Sequence, residues 1–278
     1  MKNILVSLND HDMRKPLSAF AAALAQRHGS HLSGLYVVPA LRLYPVVTVH
    51  VPPDVFEAQR KVFRKRGEEV HAAFREACEE HGVECEWHLL ESLTPLVADT
   101  VIGMSRVQDL VITGQPPEEE SPDLEADFAD RLVMETGRPV LFVPRHGAAE
   151  PAFDHVVVGW NCTREAARAL HDALPLLKGA GKVEMVWVDP PEETGARRRP
   201  LEDVVAALQR HGIAAEGRGI SSDGHHDPGA ALLAYATDAG ADLMVMGAWG
   251  HSRLREYVFG GVTQTVLTHM TVPVLFSH

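Results

Sequence analysis

Cysteine, aromatic side chains and positive charge are all scarce in this chain, and each shortage narrows what it can be. Its three cysteines, Cys78, Cys85 and Cys162, are odd in number and lack C-x-x-C spacing. That argues against a disulfide framework and a thiolate metal site, and fits a reducing cytoplasm. Basic residues number 26 against 38 acidic ones, a formal charge of −12. Such a balance repels the phosphates that nucleic-acid binders attract with clustered Lys and Arg, and the run Arg197, Arg198, Arg199 is too short to reverse it. No stretch approaches the ~20 apolar residues that span a bilayer, the longest small-apolar run being Ala19 to Ala25. The apolar stretch near the N-terminus, Ile4 to Leu8, ends long before a signal-peptide core would. The expectation is a cytoplasmic protein with neither nucleic acid nor membrane as a partner.

Catalytic signatures are missing too. The chain contains no G-x-x-x-x-G-K-[S/T], no G-x-G-x-x-G, no H-E-x-x-H and no G-x-S-x-G, so the machinery of a fast NTPase or hydrolase is not visible.

What the chain does contain is apolar residues at 45% against 23% charged, spread over 278 residues, enough for two cores of ordinary domain size. An internal repeat organises them. Ile4-Leu5-Val6 answers to Val156-Val157-Val158, Leu35 to Pro39 to Val186 to Pro190, and His81-Gly82-Val83 to His211-Gly212-Ile213. Asp109 to Gly114 answers to Asp242 to Gly247, and Pro139 to Phe142 to Pro273 to Phe276. Each copy alternates short apolar runs with stretches of helical period, the pattern of a parallel sheet with crossover helices. Continuous apolar runs such as Leu243 to Met246 suit central strands covered on both faces. The fold class expected is α/β, two tandem doubly wound, flavodoxin-like domains, each with a five-stranded parallel sheet. The domains are expected at 1–146 and 152–278, with the linker near Arg145 to Pro151. In the second copy, strands are expected near 155–160, 183–188, 213–219, 242–247 and 273–276. The similar final strands, Val140 to Val143 and Val274 to Phe276, are expected to pair the two copies as an intramolecular pseudo-dimer, with further homodimerisation open.

The segment Gly247 to Thr263 leaves a strand and enters a helix. Glycines at 247, 250, 260 and 261 permit positive φ and close backbone approach, so successive N–H groups can cup an anion. A helix starting at about Gly261 then points its dipole and unsatisfied N–H groups at the same place, the carboxyl edge of the sheet where ligands bind. Phosphate is the natural occupant. The plainer alternative is a tight strand-to-helix connection. Arg253 and Arg255 either clamp phosphates or pair with carboxylates such as Glu256, and His251 either touches phosphate or faces solvent. His225 and His226, within Asp223 to Asp227, form the densest candidate metal cluster, although adjacent loop histidines are usually solvated. Cys162 is either a redox handle or an inert, half-buried thiol.

The spacing G-x-x-G-x9-G at Gly247, Gly250 and Gly260, followed by the strand Thr271 to Phe276, resembles the phosphate loop of the universal stress protein family. The two-copy layout extends that resemblance over essentially the whole chain. It implies ATP or a related adenine nucleotide as ligand, with magnesium as an accompanying ion, and regulatory roles in stress survival. By resemblance, Gly247 and Gly250 face the β- and γ-phosphates, and Gly260 and Gly261 the α- and β-phosphates or ribose. Met246 and Val262 flank them, Trp160 and Asn161 lie beside base and sugar, and the Val188 backbone meets the adenine. Two departures stand out: Gly261 replaces the family's Ser or Thr, with Thr263 a substitute hydroxyl two residues on, and Asn161 replaces an Asp that would help hold Mg²⁺. The first copy lacks the loop. Gln115-Pro116-Pro117 removes N–H donors, Glu118 to Glu120 place like charge there, and Ser121-Pro122-Asp123 reads as a self-sufficient helix N-terminus.

The leading expectation is a stress-response regulatory protein that binds an adenine nucleotide in its C-terminal domain and presents a surface to an unknown protein partner. Alternatives are a nucleotide-independent scaffold with a vestigial loop, and a slow ATPase. Replacing Gly250 or Gly260 by Val is expected to abolish ATP and AMP binding in calorimetric titrations while leaving circular dichroism unchanged, since a side chain excludes positive φ and fills the space of the phosphate oxygens. Equal affinities in wild type and variants would sink the phosphate-loop reading.

Overall fold

A computed structural model of the chain describes all residues except 41–52, 118–122, 147–149, 192–199, 226 and 249–260. The chain forms two compact units, Met1–Arg138 and Pro139–His278. In the first, β1 (Asn3–Ser7), α1 (Arg14–His28), β2 (His31–Val38), α2 (Pro53–His81), β3 (Cys85–Glu91), α3 (Val97–Ser105), β4 (Leu110–Gly114) and α4 (Phe128–Glu135) follow one another. In the second come β5 (Val140–Val143), β6 (His155–Gly159), α5 (Arg164–Leu177), β7 (Lys182–Val188), α6 (Pro200–Arg210), β8 (Ala215–Ile220), α7 (Pro228–Ala239), β9 (Leu243–Gly247), α8 (Val262–His269) and β10 (Val274–Ser277). The four internal strands expected of the second copy begin or end within two residues of the observed β6 to β9.

The strands run parallel in the order β3-β2-β1-β4 in the first unit and β10-β9-β6-β7-β8 in the second. This is the doubly wound arrangement that the alternating pattern predicts. The central strands are apolar throughout because helices cover both faces; Ile4, Leu5, Val6, Val156, Val157 and Val158 are fully buried. Strand β5 pairs antiparallel to β10, with Leu141 opposite Leu275 at the middle of the register. Those two leucines are equivalent positions of the repeat, and Phe142 and Phe276 meet edge to face at 5.7 Å.

Matched residues of the two copies do matched work. The Asp109 carboxylate accepts hydrogen bonds from the N–H groups of Lys2 and Asn3, at 2.5 and 3.1 Å. Asp242 accepts from those of Asp154 and His155, at 2.7 and 3.0 Å. Each aspartate thus sits just before one strand and satisfies backbone donors at the start of its neighbour. Gly82 and Gly212 take positive φ, +61° and +77°, and the N–H groups of Val83 and Ile213 reach back to the Cys78 and Leu208 carbonyls. That closes α2 and α6 with the same left-handed cap. One local expectation fails. The helix assigned to Ser121-Pro122-Asp123 begins at Phe128 instead, with Ser121 and Pro122 outside the described residues. The carboxylate serving a helix N-terminus in this region is Glu125, which accepts from the Val97 and Ala98 N–H groups of α3 at 3.0 and 2.7 Å.

The second unit also buries a charge. Glu184 lies on β7 at 1% exposure, where it accepts hydrogen bonds from His155 at 2.7 Å and the Tyr235 hydroxyl at 2.9 Å. Lys182 Nζ is at 3.0 Å and Arg218 Nε at 3.5 Å. Burial pushes its carboxyl up, but the donors Lys182, His155 and Tyr235 outweigh this and hold it at about 2, against an ordinary 4.5. Because the folded value is depressed, the stabilisation is complete above about pH 4.5 and is lost as pH falls through about 2. Glu184→Gln is expected to cost about 2 to 3 kcal/mol at neutral pH. In urea melts the gap between wild type and variant should narrow as pH drops from 4.5 toward 2; a gap that stays constant across that range refutes the charge as its source.

Candidate functional site

The site forms where the strands of the second unit end. Beyond the pair Gly159 with Val186, β6 no longer runs beside β7. The chain turns at Trp160, whose N–H donates to the Val186 carbonyl at 2.8 Å, and Cys162 takes a left-handed φ of +60°. Asn161 Oδ1 then accepts from the Thr163 N–H and hydroxyl, at 3.2 and 2.8 Å. Thr163 Oγ1 in turn accepts from the Ala166 N–H at 3.3 Å and caps α5. The strand separation opens a cavity of about 380 Å³, within the usual range for small-molecule sites.

Val186, Val188, Leu232 and Met246 supply its apolar lining, and Asn161, Thr163 and Thr263 supply polar groups. Of the residues singled out from the sequence, Trp160, Asn161, Val188, Met246, Gly247, Val262 and Thr263 all line this one cavity. Gly250, His251, Arg253 and Gly260 lie outside the described residues. Gly261 is the N-cap of α8, and having no side chain it leaves the first-turn N–H groups to other acceptors.

The glycines are used differently from expectation. Gly261 has a φ of −68°, and Gly247 is not among the residues with positive φ. The constraint at Gly247 is steric: a Cβ there would fall 2.4 Å from the Glu165 carbonyl carbon and 2.5 Å from the Ala166 nitrogen, so the end of β9 can touch the first turn of α5 only without a side chain.

Sequence reasoning missed several lining residues, among them Glu165, Leu232 and Pro228. Glu165 is buried at 3% exposure and pairs with Arg164 Nε. Burial pushes its carboxyl up, but Arg164 and a backbone N–H bring it below the ordinary value, so it stays ionised. Pro228 opens α7 behind Asp227, whose Oδ1 accepts from the Gly229 and Ala230 N–H groups at 2.6 and 3.1 Å. Asp227 Oδ2 accepts from the Thr265 hydroxyl at 2.6 Å, which ties the first turn of α7 to α8. The Asp-Pro pair was the available signal. Asp227 therefore serves helix capping, not the loop cluster around His225 and His226. Among the described residues, no group of three or more His, Cys, Asp or Glu is placed to hold a metal ion, and His226 lies outside them. Cys162 is exposed, not half-buried.

The first copy places the same residue types differently. Asn9, the equivalent of Asn161, is buried at 1% exposure. Its Nδ2 donates to the Val37 carbonyl at 2.7 Å and its Oδ1 accepts from the Val37 N–H at 2.9 Å. Val37 is the equivalent of Val188, so in this copy a side-chain amide occupies both backbone groups at the end of the second strand. Met13, at 3% exposure, packs within 3.4 Å of where a Gly114 Cβ would stand.

The universal stress protein family model matches residues 152–278. Universal stress protein Slr1230 of Synechocystis is 23% identical over 296 residues, covering 99% of either chain. The chain is thus similar to universal stress proteins along its length, and the family model itself matches the second unit. A universal stress protein from Archaeoglobus fulgidus shares the fold over 100% of this chain and 98% of its own, with TM-score 0.75 and 16% identity. A functionally unknown protein from Pseudomonas aeruginosa does so over 100% and 92%, with TM-score 0.58 and 15% identity. These likenesses extend over both units of the fold described above.

Asn9→Ala is expected to destabilise the protein by about 1 to 3 kcal/mol, since it strips partners from a buried N–H and C=O together. Asn161→Ala, at an exposed site, is expected to cost under about 1 kcal/mol, because Thr163 still caps the helix. Equal losses in chemical denaturation would show that the two asparagines play the same part.

Proposed function

We propose that this chain is a universal stress protein that binds an adenine nucleotide in the cavity of its second unit and acts as a nucleotide-responsive regulator in the stress response. One observation carries the reading. The backbone N–H and C=O that Asn9 occupies at Val37 have their counterpart at Val188, in a cavity wall, where Asn161 turns instead to Thr163. A neighbouring donor and acceptor on one extended residue match the edge of an adenine, which offers an amino donor beside a ring-nitrogen acceptor.

The remaining walls fit such a ligand. Val186, Leu232 and Met246 offer apolar contact to the base. The indole Nε1 of Trp160 is buried with no hydrogen-bond partner among the described residues, an unmet donor that an acceptor on sugar or base would satisfy. The uncapped start of α8 at Gly261, followed by Val262 and the Thr263 hydroxyl, would take phosphate oxygens. Gly250, His251, Arg253 and Gly260 would complete the phosphate loop. Magnesium is the less supported part of the ligand, since Asn161 brings no charge and Glu165 is already paired with Arg164. The chain's own groups bind and orient a nucleotide, and among the described residues the one carboxylate lining the cavity, Glu165, is already paired with Arg164, so the reading is of a binding protein.

Mass spectrometry of nucleotide released on denaturing the purified protein, followed by calorimetry with ATP and AMP with and without magnesium, tests this. Trp160→Phe keeps an aromatic ring but removes the donor and part of the ring volume, and is expected to weaken binding about tenfold or more. No bound or titratable nucleotide in the wild type would favour the scaffold reading.

A further inference from the structure

The first unit holds two of the three cysteines where α2 runs into β3. Helix α2 returns over the strand that follows it, and residues from the two elements pair in steps. Four residues of helix advance about 6 Å and two residues of strand about 6.6 Å, so positions 78, 74 and the 71–67 turn of α2 fall opposite positions 85, 87 and 89 of β3. Two of these steps are observed directly. Phe74 lies 5.5 Å from Trp87 between ring centroids, with His71 stacked on the same indole at 4.8 Å. Farther along, a Cβ on Gly67 would stand 2.7 Å from Leu89 Cδ1. The remaining step puts Cys78 opposite Cys85, whose thiol helps push that of Cys78 up. The turn between them is held by the Gly82 left-handed cap, with Val83 N–H donating to the Cys78 carbonyl itself at 3.0 Å.

We propose that Cys78 and Cys85 form a peroxide-sensitive dithiol that closes reversibly into an intramolecular disulfide between the last turns of α2 and the first residue of β3. The two sulfurs are unequal. Cys78 is 2% exposed; burial, and then the neighbouring Cys85, push its thiol up, so it is slow to ionise. Cys85 is only half-buried and stands at the sheet edge, since β3 pairs with β2 alone among the described strands. A peroxide therefore meets Cys85 first. Its thiolate attacks one peroxide oxygen, the O–O bond breaks, and hydroxide leaves, giving a sulfenic acid. The Cys78 sulfur then attacks the Cys85 sulfur, the S–O bond breaks, and water leaves with the Cys78 proton. Overall two thiols lose two electrons and two hydrogens, and one hydrogen peroxide becomes two waters. A resolving thiol held opposite across the turn outcompetes further oxidation of the sulfenic acid. The equivalent positions of the second copy, below the same kind of cap, are Leu208 and Ala215, so the cross-link belongs to the first copy only.

Both cysteines fall in one tryptic peptide, residues 76–106, while Cys162 falls in another. The reduced full chain would be treated with hydrogen peroxide, alkylated with iodoacetamide under denaturing conditions, digested and weighed. The expected result is peptide 76–106 lighter by two hydrogens and carrying no alkyl group, so that two of the three thiols are lost, with both restored by dithiothreitol. Cys78→Ser is expected to leave Cys85 trapped by dimedone as a sulfenic acid, and Cys85→Ser to leave Cys78 fully alkylated. The double variant Cys78→Leu, Cys85→Ala copies the packing of the second copy and keeps the test valid if serine disturbs the fold; it should retain the native circular dichroism and lose the peroxide-dependent mass change. Both thiols still alkylatable after peroxide, oxygen gained without loss of two hydrogens, or Cys85 linked to Cys162 of another molecule would each overturn the proposal.

Discussion

The carboxyl end of the second strand in each copy carries a backbone N–H and C=O beyond the last pairing with the first strand, and the two copies treat them differently. Buried polar backbone must find partners. In the first copy Asn9 turns inward and supplies both, at 2.7 and 2.9 Å, and Met13 packs against Gly114 beside it. In the second, the left-handed turn at Cys162 goes with an Asn161 that caps its own turn, and a cavity stands at Val188. Two copies of one fold thus differ at matched positions in the direction taken by one amide.

The cavity can persist because the elements around it are fixed by contacts elsewhere. Glu184, Val186 and Val188 alternate along one face of β7. The buried carboxylate of Glu184 binds Tyr235 on α7, the helix that also brings Leu232 and Pro228 to the cavity. Asp227 ties the start of α7 to α8, and the missing side chain of Gly247 lets β9 press against α5. An ion cluster at one end of the strands, a helix cap and a close backbone contact together set the spacing of the walls. The same logic operates at the turn from α2 to β3, where a left-handed glycine cap and an aromatic stack set the register that places Cys78 opposite Cys85.

Much of this was legible in the linear order of residues. The two copies, the alternation of apolar runs with helical stretches, and the glycine spacing after β9 are local, periodic signals, and they led to the fold and to seven residues that line one cavity. Other features were hidden because their meaning depends on partners far along the chain. Asn9 and Asn161 are the same residue type at matched positions, and nothing in their neighbours in sequence says which way each side chain turns. Glu165 reads as an ordinary first-turn carboxylate until β9 is laid against it. Glu125 caps a helix 27 residues before it, and the placing of Cys78 opposite Cys85 depends on how α2 folds back over β3.

The sequence by itself therefore determined the architecture and the edge of the sheet where the cavity lies, because strand and helix periods and turn glycines act over a few residues. The tertiary structure alone decided which way each copy's asparagine turns, what need Gly247 meets and which charges are buried, because those outcomes turn on contacts between groups tens of residues apart. Hydrogen-bond reach and van der Waals exclusion are settled in ångströms, and only the folded chain sets those distances.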